Sequence, residues 1–198
     1  MKRTITFLLT FLLTLLLSYT VWSQDKLVKD LDGDTINDTV YVDQATSKII
    51  CQLSTQHFKK LQSKALDMQH ESAGVKATRS GFEYYNNFMR AGYANQFRYD
   101  AKTKQIQLIG MSRYEFGNAA NDGSGESSVN LLTNDYIGNW NYFDHTKEEL
   151  VKIPTIKTKM TFGKIYLHSF NDETYFTFAE KCAALYEKHK ALTAKSAH

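Results

Sequence analysis

Residues 96–114 decide the fold, and they read Gln-Phe-Arg-Tyr-Asp-Ala-Lys-Thr-Lys-Gln-Ile-Gln-Leu-Ile-Gly-Met-Ser-Arg-Tyr. Patterning of period two, rich in β-branched and aromatic residues, predicts strands at Gln96–Tyr99 and Gln105–Tyr114. The polar residues Asp100 to Lys104 separate them. Strands joined by so short a connection must be antiparallel, so this stretch predicts a β-hairpin.

The same patterning extends over most of the chain. It predicts further strands at Thr39–Val42, Lys48–Leu53, Phe82–Met89, Ser127–Leu132, Tyr136–Phe143 and Lys157–Leu167. Short polar turns at 121–125 and 133–135 contain Asn, Asp and Gly, which accept the positive φ that such turns need. The sequence therefore predicts a mainly β protein, an antiparallel meander arranged as a sandwich, a barrel or a propeller-like sheet.

The C-terminus has a different period. From Asn171 onward, Tyr175, Phe178, Cys182 and Leu185 recur at three- and four-residue spacing, which is typical of one face of a helix. Asp172 and Glu173 complement the positive end of the helix dipole. We expect one C-terminal α-helix.

The N-terminus predicts export. Lys2 and Arg3 precede an apolar run from Ile5 to Leu17 that is short for a membrane span, the layout of a signal peptide cleaved after Ser23. The alternative is an N-terminal membrane anchor. Residues 24–198 would then form a single periplasmic or secreted domain with no stable membrane insertion. Its 22 basic and 21 acidic residues give a net charge of +1, so nothing indicates a nucleic-acid partner.

The two cysteines, Cys51 and Cys182, allow two interpretations. Export would permit a disulfide between them, joining the start of the domain to its end. Alternatively they are two buried free thiols, since Cys182 lies on the apolar face of the predicted helix.

Residues 30–38 read Asp-Leu-Asp-Gly-Asp-Thr-Ile-Asn-Asp and form the strongest local motif. Asp30, Asp32, Asp34 and Asp38 occupy positions 1, 3, 5 and 9, and the backbone carbonyl of Ile36 completes the alternation. Calcium prefers six to eight hard oxygen ligands, which alternate residues of a tight loop can supply. The motif predicts a structural calcium site, and the alternative is a solvated acidic turn without metal.

Since a strand, Val40-Tyr41-Val42, follows this motif, the loop resembles the calcium loops of integrin-type FG-GAP and VCBS repeat proteins. The resemblance covers about a dozen residues and implies calcium as a structural ion. Thr35 stands where those loops have glycine.

No local signature of a serine hydrolase, a zinc site or a phosphate-binding loop is present, which indicates a binding protein rather than an enzyme. Aromatic and asparagine side chains are dense between Phe82 and Phe143. Neighbours on a strand face opposite ways, so some of these side chains should be exposed unless both faces are covered. One hypothesis is a carbohydrate-binding module whose Tyr, Trp and Asn side chains, Trp140 among them, hold cell-wall glycan.

Residues 80–84, Ser-Gly-Phe-Glu-Tyr, give the leading hypothesis. They are similar to the Ser-Gly-x-x-Tyr motif of bacterial periplasmic lysozyme inhibitors. That resemblance implies that Ser80 and Tyr84 donate hydrogen bonds to the carboxylates of a hydrolase, while Gly81 shapes the inserting loop. The overall layout also resembles exported immunity proteins that protect cells from peptidoglycan-degrading toxins. The expected partner is then a peptidoglycan hydrolase or toxin.

Overall fold

A computed structural model describes residues 26–196, so the predicted signal peptide at residues 1–23 lies outside the described residues. Twelve strands and one α-helix are found in that range. The strands are β1 (Leu27–Lys29), β2 (Asp38–Asp43), β3 (Lys48–Gln52), β4 (Lys60–Gln62), β5 (Gly74–Thr78), β6 (Gly81–Asn87), β7 (Ala91–Asp100), β8 (Gln105–Glu115), β9 (Gly125–Asn130), β10 (Asp135–Asp144), β11 (Glu149–Lys152) and β12 (Ile156–Lys159). The helix is α1 (Asp172–Ser196). The mainly β fold with a C-terminal helix is confirmed.

The strands form two antiparallel sheets, and both are meanders. The small sheet has the order β1-β2-β3-β4. The large sheet runs β11-β10-β9-β8-β7-β6-β5, and β12 pairs with the first half of β10 while β11 pairs with its second half. Within each sheet, consecutive strands therefore lie side by side, as the short connections predict, except that β12 pairs with β10 rather than with β11.

Four of the hairpins share one turn design. An Asp or Asn at the end of the first strand accepts a hydrogen bond of 2.9–3.1 Å from the backbone N–H two residues later. These acceptors are Asp43, Asp100, Asn130 and Asp144. The last residue of each four-residue loop has a positive φ of 51° to 61°. These residues are Ser47, Lys104, Asn134 and Glu148. A turn of fixed length and fixed handedness sets the register of the strands it joins.

One hydrophobic core draws on both sheets and on α1. Phe97 lies at its centre, stacked on Phe82 at 5.1 Å and edge-on to Phe170 at 5.1 Å between ring centroids. Tyr175 of α1 stacks on Tyr93 of the large sheet at 4.0 Å. Since α1 covers this face of the large sheet, the side chains that alternate with the core residues point to the opposite, open face.

The sequence-based strand at Lys157–Leu167 is wrong in its extent. Only Ile156–Lys159 is a strand, and the chain then continues as coil to a 3-10 turn at Leu167–Ser169. The coil lies along β8, where Leu108 N–H donates to Ile165 O at 2.9 Å. The apolar side chains of this coil pack into the core, and their burial accounts for the strand-like pattern of the sequence in this segment. The patterning also gave no prediction for β1, β4, β5 or β11.

Cys51 and Cys182 are both buried free thiols in this structure. Cys51 lies on β3 in the small sheet, whereas the Cys182 sulfur lies 3.4 Å from Ser127 Oγ beneath the large sheet. The structure therefore agrees with the interpretation that these residues are two buried free thiols rather than a disulfide. Within residues 26–196, no helix has the length and apolar character that a membrane span requires.

Candidate functional site

The aspartate loop connects β1 to β2 and brings three of its carboxylates together. Side-chain oxygens of Asp30, Asp32 and Asp38 lie within 4.8 Å of one another. Asp38 is the first residue of β2 and is fully buried. All the donors in this cluster are hard oxygens, the ligand type that calcium prefers.

Backbone amides hold two of these carboxylates in place. Asp38 accepts hydrogen bonds from Leu31 N–H at 2.7 Å and from Ser54 N–H at 2.8 Å. Asp30 accepts from Gly33 N–H at 2.7 Å and from Thr35 N–H at 3.0 Å. The loop is thus closed around its own first residue, and this arrangement fixes the positions of both carboxylates.

The structure places Asp34 outside the three-carboxylate cluster. Its carboxylate accepts hydrogen bonds from Ser54 Oγ–H at 2.7 Å and from Ile36 N–H at 2.8 Å. The hydrogen bond from Ser54, followed by the one from Ile36, lowers the pKa of Asp34 below its ordinary value. Ile36 has an exposed side chain. Of the four aspartates that the sequence indicated as metal ligands, the cluster therefore contains three, while the fifth expected ligand is the backbone carbonyl of Ile36.

A 3-10 turn at Ser54–Gln56 lies across the loop, and the sequence analysis did not identify it. Thr55 Oγ1–H donates to Asp32 at 2.5 Å, and Ser54 contacts both Asp34 and Asp38. These residues follow β3, sixteen or more positions from the aspartates they contact. No pattern within the loop indicates them, because only the pairing of β2 with β3 brings them near.

Thr35 adopts φ +70°, the conformation that the glycine of FG-GAP and VCBS loops accepts without strain. A β-branched residue at positive φ is rare and costs about 1–3 kcal/mol of local strain. Hydrogen bonding of Thr35 N–H to Asp30 keeps the residue in this conformation. The loop therefore carries the strain of a threonine at a position where a positive φ favours glycine.

Two observations test whether a cation fits this loop. Among the residues described, Asp32 Oδ1 is a buried oxygen without a hydrogen-bond partner. The nearby Asp30 and Asp38 carboxylates would repel it at neutral pH. A divalent cation would satisfy the unpaired oxygen and neutralise the repulsion. Asp30, Asp32 and Asp38 therefore fit a calcium ion, which would supply structural cross-linking of the loop.

The Ser80–Tyr84 motif does not form an inserting loop. Arg79 and Ser80 make the two-residue turn between β5 and β6, and Ser80 is exposed. Tyr84 is fully buried, edge-on to Tyr93 and Phe170, and burial raises the pKa of its hydroxyl. The expectation that Tyr84 donates a hydrogen bond to a partner enzyme is wrong, because no partner can reach it in this fold.

Gly81 has a packing role rather than a loop-shaping one. A β-carbon on Gly81 would lie 2.0 Å from the carbonyl oxygen of Phe97 on the adjacent strand. The absence of a side chain lets β6 approach β7 at this point and lets Phe82 stack on Phe97. The five residues that resemble the motif of periplasmic lysozyme inhibitors thus belong to a tight hairpin in this structure.

The aromatic clusters divide between the two faces of the large sheet. Tyr84, Trp140 and Tyr142 are buried in the core, so Trp140 cannot take part in a sugar-binding face as the sequence analysis expected. Tyr85 and Tyr114 point to the open face instead. Strand alternation predicted such a division but could not say which residue of each pair is buried.

The open face contains a depression of about 440 Å³. Its side chains include Lys76, Glu83, Tyr85, Asn87 and Tyr114. The Tyr85 ring lies across Gly74, where a β-carbon would be 2.5 Å from its hydroxyl oxygen. Tyr114 likewise lies across Gly92, where a β-carbon would be 2.6 Å from its ring. Each ring thus extends over a glycine of the neighbouring strand, and Lys76 Nζ lies over the Tyr85 ring at 5.8 Å from its centroid.

Polar groups around these rings are held in place. Glu83, although mostly buried, is paired with Lys76 Nζ at 2.8 Å and accepts a hydrogen bond from Gln96 at 3.2 Å. Tyr114 O–H donates to Asn87 at 3.2 Å. Aromatic rings with a few fixed polar groups are typical of surfaces that bind small molecules.

The chain matches no family model, no curated protein and no solved structure. The resemblances drawn from the aspartate loop and from Ser80–Tyr84 therefore rest on those residues alone.

We expect Gly81→Ala to destabilise the protein by about 1–3 kcal/mol, the cost of overpacking a tight contact. The β-carbon must displace the backbone of Phe97, because no flexible side chain is available to move. Urea unfolding followed by tryptophan fluorescence measures the change in the free energy of unfolding.

Gly163→Ala is the matched control. A β-carbon at Gly163 meets nothing within 4 Å, and this substitution should leave stability unchanged or slightly higher. Equal midpoints for the two variants would contradict the close approach of β6 and β7.

Proposed function

We propose that this protein is an exported binding protein that holds cell-wall glycan on the open face of its large sheet. The observation that carries the proposal is the depression lined by Tyr85 and Tyr114, whose rings each extend over a glycine of a neighbouring strand. A sugar ring presents a flat face of C–H groups that can stack on such a surface. Its hydroxyl and amide groups can then hydrogen-bond to the surrounding polar side chains.

Charge in the depression also favours an uncharged ligand. Lys76 is paired with Glu83 and Arg113 with Glu115, while the lining residues Asn87 and Ser112 are neutral. An anionic ligand would find both cations already paired with carboxylates. The export signal predicted at residues 1–23 would deliver this face to the compartment that contains cell-wall glycan.

Calcium at the aspartate loop is part of the same proposal, as a structural ion. Asp30, Asp32 and Asp38 would hold it, and the ion would tie β1 to β2 and to the 3-10 turn after β3. Extracellular modules bind calcium with dissociation constants of about 0.1–1 mM, which suits an exported protein. The binding face and the loop lie on different sheets, so their contributions can be measured separately.

For the glycan, Tyr85→Ala and Tyr114→Ala should each weaken binding of N-acetylglucosamine oligomers by about tenfold, which corresponds to about 1.4 kcal/mol. Each substitution removes a stacking surface while leaving the core intact. Isothermal titration calorimetry with the mature protein measures the affinity.

Phe176→Ala is the control for this experiment, because it removes a partly exposed aromatic side chain from α1, on the other side of the sheet. It should bind like the wild type. Unchanged affinity in both tyrosine variants would remove the open face from consideration as the glycan site.

For calcium, we expect the ion to raise the free energy of unfolding by about 2.7 kcal/mol when its concentration is one hundred times the dissociation constant. Thermal unfolding with calcium and with a chelator gives this difference. Asp32→Asn should remove most of it, whereas Asp67→Asn, at an exposed aspartate in a turn far along the chain, should retain it. A wild-type protein with the same melting temperature in calcium and chelator would indicate a solvated acidic turn.

A peptidoglycan-hydrolase inhibitor or immunity protein is the second candidate, and a different surface favours it. Met89 is 92% exposed and Phe116 is 52% exposed. They lie at one end of the sheet, where Arg90 donates hydrogen bonds to the carbonyls of Phe116, Gly117 and Asn118 and so joins two loops. Met, Phe and Arg are enriched at protein interfaces. The Ser80–Tyr84 motif takes no part in this second candidate function.

If the protein is an inhibitor, Met89→Ser with Phe116→Ser should abolish capture and inhibition of a lysozyme-type hydrolase. Leu132→Ser, at an apolar residue of the β9–β10 turn that is nearly as exposed as Phe116, should leave both unchanged. If the wild type binds glycan but captures no hydrolase, the inhibitor function is excluded and the glycan-binding function remains.

A further inference from the structure

The depression at Tyr85 and Tyr114 continues into two others on the same face, of about 250 and 240 Å³. Ser112 lines all three, and Ser128 lines the two smaller ones. The three depressions are therefore adjacent parts of one surface that crosses the sheet.

Cross-strand register explains their continuity. On the open face, residues that pair directly across strands form a row perpendicular to the chain direction. One such row contains Tyr85, Ala94, Ser112, Ser128 and Ile137. Its three central members have short side chains, so the middle of the row is low and the two ends are high.

Two taller polar rows flank it. One contains Glu83, Gln96, Gly110, Asn130 and Asp135, and the other contains Asn87, Gly92, Tyr114, Glu126 and Asn139. Amide and carboxylate groups thus flank a floor made of small residues on both sides, with Gly92 on β7 and Gly110 on β8 interrupting the two rows. The result is a groove across β6 to β10, about 19 Å long from four strand spacings.

Charge on the walls selects the kind of chain that fits. Glu83 is paired with Lys76 and Asp135 with Lys159, and Glu126 adds a further negative charge. The two lysines, and Arg113, which also lines these depressions, each already pair with a carboxylate and so offer little attraction to a polyanion, whereas an uncharged polymer with many hydroxyl or amide groups can hydrogen-bond to the wall side chains. The apolar ends, Tyr85 and Ile137, offer stacking or van der Waals contact at either end.

We infer that the groove binds an extended, uncharged oligosaccharide chain lying across the strands, with one end on Tyr85 and the other near Ile137. This inference rests on the proposed glycan-binding function and extends it from a single sugar site to several consecutive ones. Affinity should then grow with chain length until the groove is filled.

Calorimetry with chitin-derived N-acetylglucosamine disaccharide and hexasaccharide tests the inference. We expect the hexasaccharide to bind at least about tenfold more tightly to the wild type. Ser112→Phe places a ring at the centre of the groove and should remove most of this advantage, whereas Ser112→Ala should keep it. Ser128→Phe, on the neighbouring strand, gives a second obstruction if Ser112→Phe fails to fold, as judged by thermal unfolding.

The outcomes separate the two proposals. Equal affinity for both oligomers, each lowered by Tyr85→Ala, would overturn the extended groove but keep the glycan site. Unchanged hexasaccharide binding in both folded phenylalanine variants would also overturn it. Binding of neither oligomer to the wild type would overturn the glycan function and the groove together.

Discussion

The fold depends on the hydrogen bond that an Asp or Asn side chain accepts from the backbone N–H two residues later, at the start of four hairpin turns. Each such turn has four loop residues and ends in a positive φ, at Ser47, Lys104, Asn134 or Glu148. A register slip of one residue would move every side chain of a strand to the other face. The turn after β7 sets the pairing of β7 with β8, and the register shift between Gln96 and Phe97 in that pair then places Ser112 in the groove rather than on the face of Leu108.

The sequence predicted this architecture from its period-two patterning, and residues 96–114 illustrate why. Alternation at β7 and β8 and the polar turn between them are local features, so the hairpin could be identified without the structure. β5 carries Gly74, Lys76 and Thr78 and has no apolar alternation strong enough to predict a strand. It is a strand because β6 supplies its hydrogen-bond partners, which is tertiary information.

The candidate sites show the same limit. Spacing alone indicated Asp30, Asp32 and Asp38, because all three belong to one loop. Ser54 and Thr55 come to that loop only through strand pairing, and the groove is formed by residues from five strands. The Ser80–Tyr84 motif was misleading for a related reason. Five consecutive residues show that a tyrosine is present, but its burial depends on a helix and a coil from a distant part of the chain.

Both edges of the large sheet are protected, which leaves its open face as the surface available to the proposed ligand. At the β5 edge, β1 and β2 pack close by, and Lys29 Nζ donates to the carbonyl of Thr78 at 2.5 Å. At the other edge, Pro154 separates β11 from β12, and β12 exposes Lys157 and Lys159. Proline and lysine on an edge strand oppose pairing with a further strand. A ligand that added a strand would meet these obstacles, whereas a chain lying across the open face would not.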